Sequence, residues 1–307
     1  MGGGRTARPR DRLPGLPRHL LTGAELSPGE LARLLDRAAA LKADPLGSDV
    51  LAGRSMALIF QAPSTRTRVS FEAGVRELGG HPIVLRGDEM QLSRGESLRD
   101  TAYVLSRHVA AIGIRTGSHA DAEELAAHAT VPVVNMLTDR HHPCQALADL
   151  FTLREAFGTL AGLTLAYVGD GNNVARSLAI VGSLAGMHVR VASPPSHALE
   201  PINGVTVTDD PRSAAEGADA LYTDVWVSMS DDPASAVKRR EALAPYRLDE
   251  RLMELAAPHA IALHCLPAHP GEEISAGVLY GDRQRIWDQA ENRRHAQKAL
   301  LELLVSA

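Results

Sequence analysis

Cysteine is scarce in this 307-residue chain: Cys144 and Cys265 are the only two. They lie far apart in sequence and form no metal-type cluster, so a reducing cytoplasm is the simpler setting. No apolar run reaches the length needed to cross a bilayer, and no membrane partner is expected. Positive charge is not in excess either. Lys and Arg total 32 against 37 Asp and Glu, a net charge of −5, which gives no general attraction to nucleic acid or anionic lipid. The Gly-x-Gly-x-x-Gly spacing of a dinucleotide turn is also missing. Gly169-Asp170-Gly171-Asn172-Asn173 comes near it without matching, and no cofactor is expected.

What is present is an ordinary globular balance, 45% hydrophobic and 22% charged, in a chain long enough for two domains. The first 18 residues carry five arginines and one acid among prolines and glycines, with no amphipathic stripe, and read as a flexible tail rather than a transit peptide. Beyond them strand-like and helix-like runs alternate, the pattern of parallel-sheet α/β domains. Ser27-Pro28-Gly29-Glu30 has the form of a capping box. Strands are expected near 55–60, 82–85, 110–115 and 131–136, and a helix over 143–157 closed by Gly158. The pattern then restarts with a strand at 163–168, a helix at 173–187, and strands at 189–192, 205–207, 220–225 and 261–264. An amphipathic helix over about 288–305 ends the chain and is expected to return to the first half. The stretch 228–247, rich in Ser, Asp, Ala and Pro, reads as a mobile loop or lid.

Seven short segments carry chemistry. Ser64-Thr65-Arg66-Thr67-Arg68 sits between a strand and a helix. Hydroxyls and guanidinium groups there would join the unpaired N–H groups of a helix start to make a socket for a phosphate-like dianion. Arg115 closes a strand, where open α/β sheets bind ligands. In His141-His142-Pro143-Cys144-Gln145, His142 can donate to an oxygen gaining charge, and the Gln145 amide can donate or accept. A zinc reading of His-x-Cys lacks a partner pair and is set aside. An asparagine of the Gly169–Asn173 turn suits a carboxylate or an amino-acid backbone. In Asp224-Val225-Trp226-Val227-Ser228-Met229 the strand-end carboxylate can hold an ammonium group. His264-Cys265-Leu266-Pro267 closes another strand with a thiol that is a nucleophile, a hydrogen-bond partner or simply a buried small side chain. Glu291-Asn292-Arg293 opens the last helix. Taken singly, each segment also has a plainer account as a helix cap, a surface charge or a core residue.

Together, and in this order, the segments resemble the aspartate/ornithine carbamoyltransferase family over about residues 20–304. Asp-x-x-x-Ser-Met and His-Cys-Leu-Pro resemble its ornithine branch. The resemblance implies a carbamoyl phosphate-binding domain at 19–145, an ornithine-binding domain at 146–287, and a helix at 288–307 packing back on the first. It implies a homotrimer, or a multiple of trimers, with sites at subunit boundaries. It also implies carbamoyl transfer from carbamoyl phosphate to L-ornithine, giving L-citrulline for arginine biosynthesis.

By the same carry-over Ser64, Thr65, Arg66 and Thr67 hold the phosphate, with Gln91 reaching that of a neighbouring subunit. Arg115, His142 and Gln145, with Thr67, hold the carbamoyl oxygen. Asn173, Asp224, Ser228 and Met229 bind ornithine. Cys265 and Leu266 contact carbamoyl phosphate and the side-chain amine region of ornithine, and Arg293 completes the carbamoyl phosphate site, with Arg115, His142, Cys265 and Asp224 as the catalytic set. The sequence departs from the family pattern at Gly95, where some relatives carry a lysine, at Ser230, commonly glycine, and at His141. These departures keep open an amine other than ornithine, although Asn173 and Arg293 argue for an acceptor with a carboxylate.

Overall fold

The computed structural model describes residues 19–227 and 233–306. In the first half, α1 (Pro28–Ala43), β1 (Ser55–Phe60), α2 (Thr65–Glu77), β2 (His81–Arg86), α3 (Leu98–Leu105), β3 (Ala111–Arg115), α4 (His119–His128) and β4 (Val133–Leu137) alternate. α5 (Pro143–Phe157) leads into the second half. There β5 (Thr164–Val168), α6 (Asn173–Leu184), β6 (His188–Ala192), β7 (Val205–Thr208), α7 (Pro211–Ala215) and β8 (Ala220–Thr223) follow. α8 (Pro233–Leu243), α9 (Glu250–Met253), β9 (Ile261–His264), α10 (Ala276–Leu279) and α11 (Ile286–Val305) complete it.

Both sheets are parallel, ordered β2-β1-β3-β4 and β7-β6-β5-β8-β9. Each order reverses direction once, between β1 and β3 in the first sheet and between β5 and β8 in the second. At such a switch point the loops leaving the two strand ends part to opposite faces and open a crevice. Ser64 and Arg115 flank the first crevice, and the 169–173 turn and Asp224 flank the second.

One continuous apolar core joins the halves. It draws on α1, β1, α5, β5, α6 and α11, whereas the outer face of each sheet has a smaller core of its own. α11 packs on α1, α2 and α5, so the last helix does return to the first half. α5 touches β4 on one side and α6 on the other as a single helix, so a division at 145/146 falls within its first turn. The Ser27 capping box closes as expected, with Glu30 bonding back to the Ser27 backbone.

Two local readings need correction. The 228–247 stretch is not all loop: Pro at the first position starts α8 over 233–243, and a 3-10 turn over 244–246 follows. The α6 helix stops at Leu184 rather than 187, because Gly186 takes the left-handed φ of +76° that ends a helix.

Candidate active site

The cationic half of the site begins at the mouth of α2. Its N-cap Ser64 makes no capping hydrogen bond, and no acid lies in the first turn. Most helices of this chain are capped by a serine, asparagine or aspartate side chain. The α2 start therefore keeps its backbone donors and dipole charge free for an outside anion. Thr65 and Arg66 are exposed, Ser64 is half-buried and Thr67 is buried. Arg68 is not part of the socket. A residue step of ~100° along the helix turns it outward, where it pairs with Glu72 at 2.6 Å.

Behind the α2 mouth, Thr67 Oγ1 accepts from Arg293 Nη2 at 3.1 Å and from Arg115 Nη1 at 3.5 Å. Arg293, Arg115 and Arg66 form no ion pair among the described residues. Desolvation, then the charges of Arg293 and Arg66, push the Arg115 guanidinium down to about 10. Burial likewise lowers Arg293. Such a cluster is relieved by an incoming anion.

His142 is buried beside it, its backbone N–H donating to Ser177 Oγ at 2.7 Å. Desolvation, then Arg293 and Arg115, hold its imidazole well below the usual histidine range, so it stays neutral. Gln145 is committed inward: Oε1 accepts from Arg293 Nη1 at 2.6 Å and Nε2 donates to Asp149 Oδ1 at 2.7 Å. Its remaining amide hydrogen is what it can offer a ligand. Cys144 turns away from the site to the Asn135 carbonyl, and burial pushes its thiol up to about 12.

The acidic half is built at the second switch point. Asn172 caps α6, its Oδ1 accepting from the Val174 and Ala175 N–H groups, which leaves Nδ2 to donate to Asp224 Oδ2 at 2.7 Å. Asp224 Oδ1 accepts from its neighbour's backbone and from Cys265 Sγ at 2.7 Å. Desolvation and then Asp224 raise the Cys265 thiol well above its ordinary range, so it is a donor and not a thiolate. Asn173 donates to the Thr138 carbonyl at 2.6 Å and ties this turn to the first half.

Gly171 is required here, since a Cβ would lie 2.3 Å from the Leu199 backbone nitrogen. Close packing against the 197–199 segment, rather than a pyrophosphate, thus accounts for that glycine. Arg239 of α8 donates to Asp170 and, at 2.6 Å, to the Trp226 carbonyl, fastening α8 over the turn.

The segment after β9 is held from behind. Leu266 has a φ of +60°, a conformation that costs a non-glycine residue and must be held by its surroundings. Its N–H donates to His264 Nδ1 at 2.8 Å, so the histidine proton sits on Nε2, which donates to the buried Glu273 at 3.2 Å. Asp224, His264 and Cys265 are the grouping whose ligand atoms all lie within 4.8 Å, the set best placed to hold a metal among the described residues. Both His264 nitrogens are engaged, however, and the set works as a hydrogen-bonded cluster.

The structure thus gathers Thr67, Arg115, Gln145 and Arg293 directly, with Arg66 and His142 close enough to feel or exert their charge. It joins Asp224 to Cys265. Arg66 and Asp149 also act on Cys265, so the two halves are within electrostatic reach of each other. Gln91 lies exposed in a 3-10 turn over 91–94, outside this cluster. Ser228 and Met229, with Ser230, lie outside the described residues. Asn172, Asp149, Gln289 and Arg239 were not anticipated. The one available signal was spacing: Gln145/Asp149 and Gln289/Arg293 are polar pairs one helical turn apart on otherwise core-facing helices.

Two parallel α/β domains, with a cationic strand-end crevice beside a carboxylate–thiol crevice, define a two-substrate group-transfer enzyme. The chain belongs to the aspartate/ornithine carbamoyltransferase family. Residues 18–155 match the family's carbamoyl-P binding domain and residues 161–304 its Asp/Orn binding domain. The ornithine carbamoyltransferase of Acidothermus cellulolyticus is 54% identical, over 94% of this chain and 97% of the relative. Among solved structures, the ornithine carbamoyltransferase of Thermus thermophilus superposes with a TM-score of 0.87 at 45% identity, over 94% of this chain and 99% of that one. That of Pyrococcus furiosus gives 0.89 at 44%, over 94% and 97%.

Proposed function

We propose that this chain transfers the carbamoyl group of carbamoyl phosphate to the δ-amine of L-ornithine, giving L-citrulline and phosphate for arginine biosynthesis. The observation that carries the reading is an arginine cluster around Thr67, without ion pairs among the described residues, within electrostatic reach of the Asp224–Cys265 pair. Dianion and cationic amine call for opposite fields, and each half supplies one.

In this reading Ser64, Thr65, Arg66 and Thr67, with the α2 N–H groups, take the phosphate. Arg115 and neutral His142 donate to the carbamoyl oxygen, and Gln145 adds its free amide hydrogen. The amine lone pair attacks the carbamoyl carbon, negative charge builds on that oxygen, and those donors stabilise it. The C–O bond to phosphate then breaks, the phosphate leaves with the electron pair, and it accepts the proton lost by the amine. A free alkyl amine titrates near ~10.4, so the site must bind or generate the neutral form. Asp224 and the Cys265 thiol orient it, and no covalent step at sulfur is needed. Much of the acceleration comes from holding two small reactants in contact.

Asn173, Ser228 and Met229 complete the acceptor side. Gln91 serves the site of a neighbouring subunit in a cytoplasmic homotrimer. Exposed Val69, Tyr103 and Val104 on α2 and α3 are apolar surface that such a neighbour would cover.

Steady-state rates with carbamoyl phosphate and a panel of L-ornithine, putrescine and N-acetylornithine test the reading. L-Ornithine should give the highest kcat/KM and yield citrulline. Higher efficiency with either rival amine would reassign the acceptor.

A further inference from the structure

Behind the site runs an unbroken line of buried hydrogen bonds, two of whose members, Asp149 and Gln289, have no substrate-facing role. It starts in the cationic half, where Arg293 donates to Thr67 and, through Nη1, to Gln145 Oε1. Gln145 Nε2 donates to Asp149 Oδ1 at 2.7 Å, and the same oxygen accepts from Gln289 Nε2 at 2.6 Å. Gln289 Oε1 then accepts from the His264 backbone N–H at 3.0 Å, at the start of the segment that carries Cys265. Gln289 also donates to Tyr222 Oη at 3.1 Å, in β8 two residues before Asp224. Asp149 and Gln289 are fully buried, and Thr67, Gln145, His264 and Arg293 are all at most 3% exposed.

The chemistry of the partners fixes each group in one orientation. Gln145 Oε1 faces a guanidinium, which only donates, and its Nε2 faces a carboxylate. Gln289 Oε1 faces a peptide N–H and its Nε2 faces the same carboxylate. Turning over either amide would set donor against donor and acceptor against acceptor. A buried network of this kind, in low dielectric, favours one arrangement and penalises any displaced one.

We propose that Asp149 and Gln289 are positioning residues that hold the donor half and the acceptor half of the site in a single register. This rests on the carbamoyltransfer reading above. Displacing Gln289 frees His264, and with it the Leu266 N–H bond and the Cys265 thiol, while the Thr67–Arg115 contact remains.

The experiment compares the full-length wild type with Gln289→Leu, Gln289→Glu, Asp149→Leu and Asp149→Asn. It measures citrulline formation and separate KM values for ornithine and carbamoyl phosphate. Gln289→Leu should raise the ornithine KM about tenfold or more and leave the carbamoyl phosphate KM within about twofold. Gln289→Glu, which sets two carboxyl groups face to face, should do the same. Asp149→Leu, which leaves both amides without their acceptor, should reproduce the split, and Asp149→Asn, whose amide oxygen can still accept from Gln145 and Gln289, should keep more of the ornithine affinity. A purely structural role would lower kcat through loss of folded protein, with no split between the two KM values. Folded, active Gln289 variants with an unchanged ornithine KM would overturn the proposal. So would an Asp149→Asn variant no better than Asp149→Leu. If Gln289→Leu fails to fold, Gln289→Glu and the two Asp149 variants carry the test. A wild type that makes no citrulline would instead sink the underlying functional reading, and the register proposal with it.

Discussion

The two halves of the site solve opposite problems with different degrees of commitment. On the cationic side, Arg66 is exposed, the Ser64 hydroxyl makes no cap bond, and no side chain among the described residues caps the α2 start. On the acidic side both Asp224 oxygens are already taken, one by Asn172 and one by Cys265, and Arg239 holds the turn next to them. The first half waits with unspent donors for a strongly charged ligand that arrives carrying its own acceptors. The second is preassembled, so in the proposed reading a weaker, mostly protonated amine would find a carboxylate that is already oriented. Affinity for a dianion comes from charge and is hard to lose by small displacements. Recognition of an amine in the right protonation state depends on geometry, and geometry needs support from behind.

That contrast is open to attack at several points. The largest effect is expected at Arg115. Arg115→Met should cost at least ~10²–10³ in kcat with the fold intact, because it removes a donor to the developing oxyanion. Steady-state kinetics alongside circular dichroism would check this, and a loss confined to thermal stability would refute it. Arg66→Ala should abolish measurable carbamoyl phosphate binding by calorimetry without unfolding an exposed helix mouth. Near-normal affinity would dissolve the socket. Cys265→Ala should act on the other half alone. An ornithine KM raised roughly tenfold, about 1.4 kcal/mol, beside little change for carbamoyl phosphate is the expected split, and equal losses would contradict the division.

A subtler test uses pH. Burial, opposed by the Gln145 and Gln289 amides, pushes the Asp149 carboxyl from 3.8 up to about 7. The folded state therefore binds more protons there than the unfolded state between those values. This contribution is fully present below about pH 4 and is lost as pH rises towards 7, by about 1.4 kcal/mol per unit. Asp149→Asn removes it. The unfolding free energy of the wild type minus that of the variant should fall across this window, and a flat difference would remove the carboxylate from the account. The smallest effect is expected at Arg68. Although two residues from Arg66 in the same motif, its pair with Glu72 is exposed, and Arg68→Ala should change stability by no more than ~0.5 kcal/mol and leave both KM values alone.

The Arg66/Arg68 contrast also marks where the sequence stops being readable. Strand-end placement made Arg115, Asp224 and Cys265 legible, because a polar residue closing an apolar run must leave the sheet at its ligand-binding edge. Within Ser64–Arg68, however, only the rotation of the helix decides which arginine faces the crevice. Asn172 and Asn173 differ in the same way: one caps α6 and steers Asp224, the other reaches across to Thr138, and adjacency in sequence says nothing of this division. Asp149 and Gln289 were illegible for a stronger reason. Their partnership spans 140 residues and exists only once α11 has crossed α5. α8 escaped notice because the Pro, Ala and Ser of its opening residues read as a loop, although Pro at a first helical position is a start signal as much as a break.

The position of Gln289 and Arg293 on one helix has a metric consequence. They are four residues apart, and at 1.5 Å per residue α11 sets them roughly 6 Å apart along its axis. Under the register proposal, that single turn is a gauge block between the place where the donor would be gripped and the place where the acceptor would be aligned. Substitutions along α11 alter how firmly each end is held, but one residue inserted between 289 and 293 would swing one contact by about 100° relative to the other. The interval is therefore constrained as a length as well as by the identity of its ends, whereas the helix beyond Arg293 is free of that particular requirement.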